Sequence, residues 1–205
     1  MLEENDKYKT LKNPSQGIFK DKGSKFMAFA FPVYTDEEIK GHLTYLKKEY
    51  FDARHHCYAY ALGQNREIYR AVDDGEPSGT GGKPIYGQIL SSGITNVLIV
   101  VVRYFGGILL GTGGLINAYK HSAADAIANA EIIEKTVNSI FSIQFGYESM
   151  NEIMKILKDN GLEQLEHKFD LNCSIVVAVR NSMVNDLKTK ILGIEGAKIH
   201  FLRTA

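Results

Sequence analysis

The sequence predicts an α+β protein of two domains, an α/β domain over residues 1–135 and a βαββαβ domain over residues 138–205. Three observations carry this. At 205 residues the chain exceeds the commonest single-domain size, which allows two small domains. Val97 to Val102 is uninterruptedly apolar and breaks surface at Arg103, as a strand buried on both faces does. Gly106, Gly107, Gly111, Gly113 and Gly114 follow, and helical spacing then runs from Leu115 to Ala130. After Glu134 the pattern changes, and six elements follow in about 65 residues.

Taken in order, residues 1–14 are polar, end in Asn13-Pro14 and read as a loose lead-in. Gly17 to Lys20 and Lys25 to Val33 flank a turn at Asp21 to Ser24 and predict a hairpin. Thr35 and Glu38 form a capping box for an amphipathic helix through Ile39, Leu43, Leu46 and Tyr50. Arg54 to Leu62 alternates as a strand, Gly63 to Glu67 turns, and Ile68 to Val72 returns. Asp73 to Pro84, reading DDGEPSGTGGKP, is too turn-rich for regular structure and is an ordered or closing loop. Pro84 suits the first turn of a short helix to Leu90. In the helix after the glycines, Ala118, Ser122, Ala123, Ala126 and Ala130 make a small-residue face that can approach a sheet closely.

In the second domain, Ser139 to Phe145 alternates with Phe141, Ile143 and Phe145 inward, and Tyr147 to Asp159 carries a helical stripe. Leu162 to Phe169 and Leu171 to Arg180 read as adjacent strands. Ser182 caps a helix that Gly193 ends, and Ala197 to Leu202 closes as a strand. This order is that of a ferredoxin-like domain.

Lys plus Arg equals Asp plus Glu at 24 each, so no overall field favours nucleic acid, an anionic membrane or an acidic partner, and any anion site is local. Cys57 and Cys173 read as free buried thiols. No run reaches the ~18 apolar residues of a membrane helix, and the polar start lacks a signal-peptide core, so the expected address is cytoplasmic without membrane association.

Several loop residues are of types that can carry chemistry. Gly81-Gly82-Lys83 invites a phosphate-loop reading, but Pro77 stands where that motif requires glycine and Pro84 where Ser or Thr holds magnesium. The dinucleotide pattern fails at Ile116. The glycines after Arg103 serve either anion binding through backbone N–H groups or close backbone packing. Asp73, Asp74 and Glu76 offer oxygen ligands for a hard cation, although turn-capping carboxylates are the commoner case. His55, His56 and Cys57 cannot close one tetrahedral metal site, because strand neighbours point to opposite faces. A Cys57 nucleophile meets the same obstacle unless His121 approaches it. Arg103 either binds an external anion or pairs with Asp73, Asp74 or Glu76.

The segments RHHCYAYALG, DDGEPSGTGGKP and VVVRYFGGILLGTGGLINAY, in that order and at these intervals, resemble the signature of the YigZ/IMPACT family. The likeness covers Ser15 to Ala130 directly, and the trailing part is similar to the second domain of bacterial YigZ-type members and to the C-terminal domain of elongation factor G. Gly81 stands where alanine is frequent and Asn117 where a basic residue is frequent. The resemblance implies a first domain of the α/β sandwich type shared with a ribosomal small-subunit protein and a class of small-molecule kinases. It also implies a regulatory role. Eukaryotic IMPACT proteins compete for an activator of the amino-acid-starvation kinase, and a looser link to translation or RNA carries over.

The expected function is therefore a non-catalytic binding protein linked to translation, meeting RNA, a ribosomal component or a protein partner. The binding surface comprises Arg54, His56, Asp73, Asp74, Glu76, Pro77, Ser78, Gly79, Lys83, Arg103, Gly106, Gly107, Gly111, Gly113 and Gly114. No catalytic residue, metal ligand or cofactor is assigned, and the oligomeric state is open. The alternative is a metal-dependent enzyme acting on a phosphate-containing or other anionic substrate.

Overall fold

The structure, a computed structural model, describes residues 6–169 and 172–204. It is a mixed α+β fold with antiparallel sheets and, among the described residues, five α-helices. The chain forms two compact units, Tyr8–Lys135 and Thr136–Ala205, the second joined, among the described residues, by Asp6 and Lys7. Among the described residues no helix is long and apolar enough to cross a membrane.

The first unit is built on five strands: β2 (Ser15–Asp21), β3 (Ser24–Pro32), β4 (His55–Leu62), β5 (Ile68–Val72) and β6 (Val97–Tyr104). They form one antiparallel sheet in the order β2-β3-β6-β4-β5. The uninterrupted apolar run of β6 has its cause in this order, since the strand is central and covered on both faces. Ile99 and Val101 enter one core with Ala118 and Tyr119 of α3 (Gly111–Ala128) and Ile85 of α2 (Gly82–Ser92). Leu98, Val100 and Val102 enter a second core with Ile39 and Leu46 of α1 (Asp36–Glu49). The capping box of α1 is present, Glu38 N donating to Thr35 Oγ1 at 3.2 Å while Thr35 N donates to Glu38 Oε2 at 3.2 Å.

Two features of this unit differ from the sequence expectation. The lead-in is not loose throughout: β1 (Lys7–Leu11) pairs with β7 (Ile132–Thr136). Only Thr10 and Leu11 turn inward, at 0% and 1% exposure, and two buried positions are too short a signal for a periodicity argument. Helix α3 also starts at Gly111, ahead of Leu115, because glycine lowers helix propensity without forbidding the conformation.

The small-residue face of α3 lies against β2. A Cβ on Gly17 would stand 2.2 Å from Ala126 N and 2.7 Å from Asp125 C, both backbone atoms that cannot swing away. Gly17→Ala is accordingly expected to destabilise the protein by about 1–3 kcal/mol. Gly41→Ala, at a helical position with nothing within 4 Å, should instead gain about 0.5–1 kcal/mol. Thermal unfolding of the two variants side by side checks both signs.

The second unit runs β8 (Asn138–Gly146), α4 (Met150–Asp159), β9 (Glu163–Lys168), β10 (Asn172–Arg180), α5 (Val184–Leu192) and β11 (Lys198–Thr204). Its sheet has the order β11-β8-β10-β9 with antiparallel pairing throughout. Phe141, Ile143 and Phe145 are inward as their alternation requires, packed with Ile153, Leu157, Leu187 and Ile191 of the helices. Leu171, which the sequence places at the start of β10, lies outside the described residues. Ser182 does not cap α5. A 3-10 turn over Asn181–Met183 precedes that helix, and the Ser182 hydroxyl instead donates to Asp6 Oδ2 at 2.7 Å.

Candidate functional site

Residues 73–81 join β5 to α2, and their carboxylates are turned inward. Asp73 Oδ1 accepts from Gly81 N at 2.9 Å and Gly82 N at 2.8 Å, and Oδ2 accepts from Gly79 N at 2.8 Å. Asp73 thus serves backbone donors at the start of α2 that have no partner within that helix, whose N-cap residue is a glycine with no side chain to do so. Partial burial opposes ionisation of Asp73, but the N–H donors of Gly79, Gly82 and Gly81 and the nearby Lys83 outweigh it and hold the group below its ordinary value.

Asp74 turns to the α1 side of the sheet. Its Oδ2 accepts from His56 N at 2.7 Å, and Oδ1 lies 3.6 Å from Lys47 Nζ. Its backbone is left-handed at φ 44°, followed by Gly75 at 88°, which folds the loop back over His55, whose Nδ1 lies 2.9 Å from Asp74 O. Burial lowers the basicity of His56 although Asp74 is near.

Arg103 closes the choice left open by the sequence. Its Nη1 donates to Glu76 Oε1 at 2.5 Å, and Tyr119 OH donates to the same oxygen at 2.8 Å. Neither Asp73 nor Asp74 is its partner, because their oxygens already serve backbone N–H groups. The Arg103 and Glu76 side chains are 8% and 3% exposed, so the pair sits in a poorly solvated environment. The guanidinium is flanked by the rings of Phe26 at 5.4 Å and Phe105 at 5.7 Å. Burial pushes the Tyr119 phenol far up and keeps it a neutral donor.

The same environment answers the nucleophile question. Cys57 Sγ donates to Asp73 O at 2.8 Å, and burial pushes the thiol well above its ordinary value, so thiolate is disfavoured. His121 stacks on Phe19 with ring centroids 5.4 Å apart. Gly81 is packed on this thiol: a Cβ there would lie 2.7 Å from Cys57 Sγ, so alanine would require the cysteine to shift. Among the described residues no group of three His, Cys, Asp or Glu side chains converges as metal ligands.

Beside the Arg103 and Glu76 pair lies a cleft of about 380 Å³. Of the residues the sequence singled out, Arg54, Glu76, Pro77, Arg103 and Gly111 line it. Asp73 lies beneath the start of α2, His56 and Asp74 face α1, and Ser78, Gly79 and Lys83 belong to the loop and first turn leading into α2. Gly106 is a packing position: a Cβ would stand 1.9 Å from Gly23 C and 2.2 Å from Ser24 N. Gly107 and Gly111 take left-handed φ values of 88° and 71°, turning the chain out of β6 and into α3. A Cβ on Gly113 would meet nothing within 4 Å, and one on Gly114 would press on Leu110.

The sequence reading missed Phe105, Leu109, Leu110 and Leu115, which form the apolar wall. Phe105, Ile108 and Leu109 are 48%, 56% and 82% exposed. The signal was present as a run of large apolar residues between glycines in FGGILLG, where a solvated loop would be polar.

Comparison with known proteins agrees with this frame. A family model described as the Impact N-terminal domain matches residues 22–127, which contain the cleft. The chain is 31% identical over 178 residues to IMPACT family member YvyE of Bacillus subtilis (strain 168), covering 87% of this chain and 82% of that protein. It is 31% identical over 183 residues to IMPACT family member YigZ of Escherichia coli (strain K12), covering 88% and 90%. A crystal structure described as that of a hypothetical protein matches with a TM-score of 0.72 at 28% identity, covering 97% of this chain and 98% of that one. On the domain match and on relatives similar over most of their length, the chain belongs to the YigZ/IMPACT family.

Proposed function

We propose that the protein is a non-catalytic binding protein with a regulatory role linked to translation. Its first unit meets RNA, a ribosomal component or a protein of the translation machinery through the cleft and the neighbouring glycine-rich loops. The observation that carries this reading is the inward engagement of Asp73, Asp74 and the Arg103–Glu76 pair. What remains outward, among the described residues lining the cleft, is one exposed cation, Arg54, beside the apolar stretch from Phe105 to Leu110. Such a surface is suited to holding a partner. Family membership supports the link to translation. The metal-dependent enzyme reading requires carboxylates opening together into a cleft, and the engagement of Asp73 and Asp74 weighs against it.

Within this reading the first unit is an IMPACT-type sandwich. The strand order and antiparallel pairing of the second unit support a ferredoxin-like assignment, similar to the C-terminal domain of elongation factor G. The setting is cytoplasmic.

The test is titration with ribosomes, structured RNA and single-stranded RNA at low and moderate salt. With 24 basic and 24 acidic residues, binding to naked RNA is expected to be weak and to vanish as salt rises. Binding to ribosomes is expected to persist at moderate salt. Absence of binding to every one of these at low salt would remove the nucleic-acid and ribosomal versions.

A further inference from the structure

We infer that the cleft beside Arg103 receives a short segment of a partner protein in which a carboxylate side chain adjoins a large aliphatic one. This deepens the binding reading above and rests on it. The carboxylate lies among Arg54, Arg103 and the start of α3, and the aliphatic side chain lies on Phe105, Leu109 and Leu115.

The electrostatic argument starts from the floor. Glu76 borders the cleft, but its charge is matched by Arg103 at 2.5 Å and its oxygen also accepts from Tyr119. Arg54 is exposed on the wall, and the start of the 18-residue helix α3 adds partial positive charge at Gly111 and Thr112. A protein ordinarily supplies an anion to such a helix end from its own first turn or N-cap residue. Here the first turn holds no acidic residue, and Leu110 at the N-cap provides no side-chain hydrogen bond.

An independent observation points to a missing acceptor. Arg103 lines the same cleft and is 7% exposed, yet its Nε is buried without a hydrogen-bond partner among the described residues. Buried donors are ordinarily satisfied, and guanidinium donors are suited to carboxylate oxygens. The cleft volume of about 380 Å³ falls in the range of formed ligand sites.

The wall chooses the class of partner. Apolar side chains from Pro77, Phe105, Leu109, Leu110 and Leu115 face one exposed cation, Arg54. A nucleic-acid strand demands several phosphate contacts along its track, and this wall does not provide them. The exposed apolar surface also continues beyond the cleft at Ile108, 56% exposed, which favours a peptide over a small free carboxylate.

Selection of phage-displayed random octapeptides on the full-length chain, followed by fluorescence anisotropy with labelled copies of the enriched peptides, tests the proposal. Enrichment of Asp or Glu next to Leu, Ile or Phe is expected. Arg54→Ala in the protein, and Glu→Gln in the peptide, should each weaken binding by about tenfold. Leu109→Ser should weaken it similarly, while Lys48→Ala on the exposed face of α1 should leave it unchanged. Arg54, Leu109 and Lys48 are all exposed, so circular dichroism should show the three variants folded. No enrichment, or a motif without an acidic residue, overturns the proposal. Displacement of the peptide by single-stranded RNA but not by an acidic peptide does so in favour of nucleic acid. Ribosome binding together with peptide binding that survives Arg54→Ala and Leu109→Ser overturns this inference alone and leaves the translation-linked reading standing. Peptide binding without ribosome or RNA binding removes the nucleic-acid and ribosomal versions of that reading and leaves this inference standing.

Discussion

Glu76→Ala is expected to destabilise the first unit by about 3–5 kcal/mol, the range for stranding one member of a buried ion pair. Two losses combine. Arg103, 7% exposed, would keep its charge with no counter-ion, and Tyr119, 0% exposed, would lose the oxygen to which its hydroxyl donates. The pair itself adds little over an apolar substitute, since desolvation offsets most of the attraction. The double variant Glu76→Ala with Arg103→Met should therefore be far less damaged than Glu76→Ala alone. Urea unfolding followed by amide hydrogen exchange at Val97 to Val102 measures both. Equal destabilisation of the single and double variants would mean that packing, and not the uncompensated charge, carries the effect.

Asp73→Ala should cost about 2–3 kcal/mol through loss of a charged acceptor serving the start of a helix. Gly79, Gly81 and Gly82 each lose their acceptor, and the loop loses the anchor that sets its path over Cys57. The pH dependence has a definite sign. The folded-state value of Asp73 is depressed, so its contribution is complete above the ordinary value of 3.8 and is lost as pH falls through the lower folded value. The stability gap between the natural protein and Asp73→Ala should thus be constant from neutral pH down to about pH 5 and close in stronger acid. Chemical unfolding at a series of pH values checks this. A gap that widened on acidification would contradict the assigned role of the carboxylate.

The engagement of these groups changes how the loop is understood. DDGEPSGTGGKP contains the residue types of a phosphate or metal site, but each carboxylate serves the loop's own architecture or the adjoining core. Gly106 likewise serves a close approach to Gly23 and Ser24. The cleft residues left outward are Arg54 and an apolar lip at Phe105, Leu109 and Leu110.

What the sequence determined by itself is whatever depends on near neighbours in the chain. The capping box at Thr35 and Glu38, the doubly buried run of β6 and the inward alternation of Phe141, Ile143 and Phe145 were all legible, because each is a local pattern with its own physical cause. Tertiary structure alone decided the rest. Pairing of β1 with β7 joins segments more than a hundred residues apart, with two buried side chains in β1 as its trace. Ser182 has the chemistry of an N-cap but donates to Asp6, a partner that no local rule identifies. Arg103 had three carboxylates to choose from in one loop, and the choice followed from geometry: Asp73 faces the start of α2, Asp74 faces α1, and only Glu76 enters the core beside Tyr119. Charge and hydrogen-bonding capacity are properties of a residue, whereas the partner that satisfies them is a property of the space into which the fold turns it.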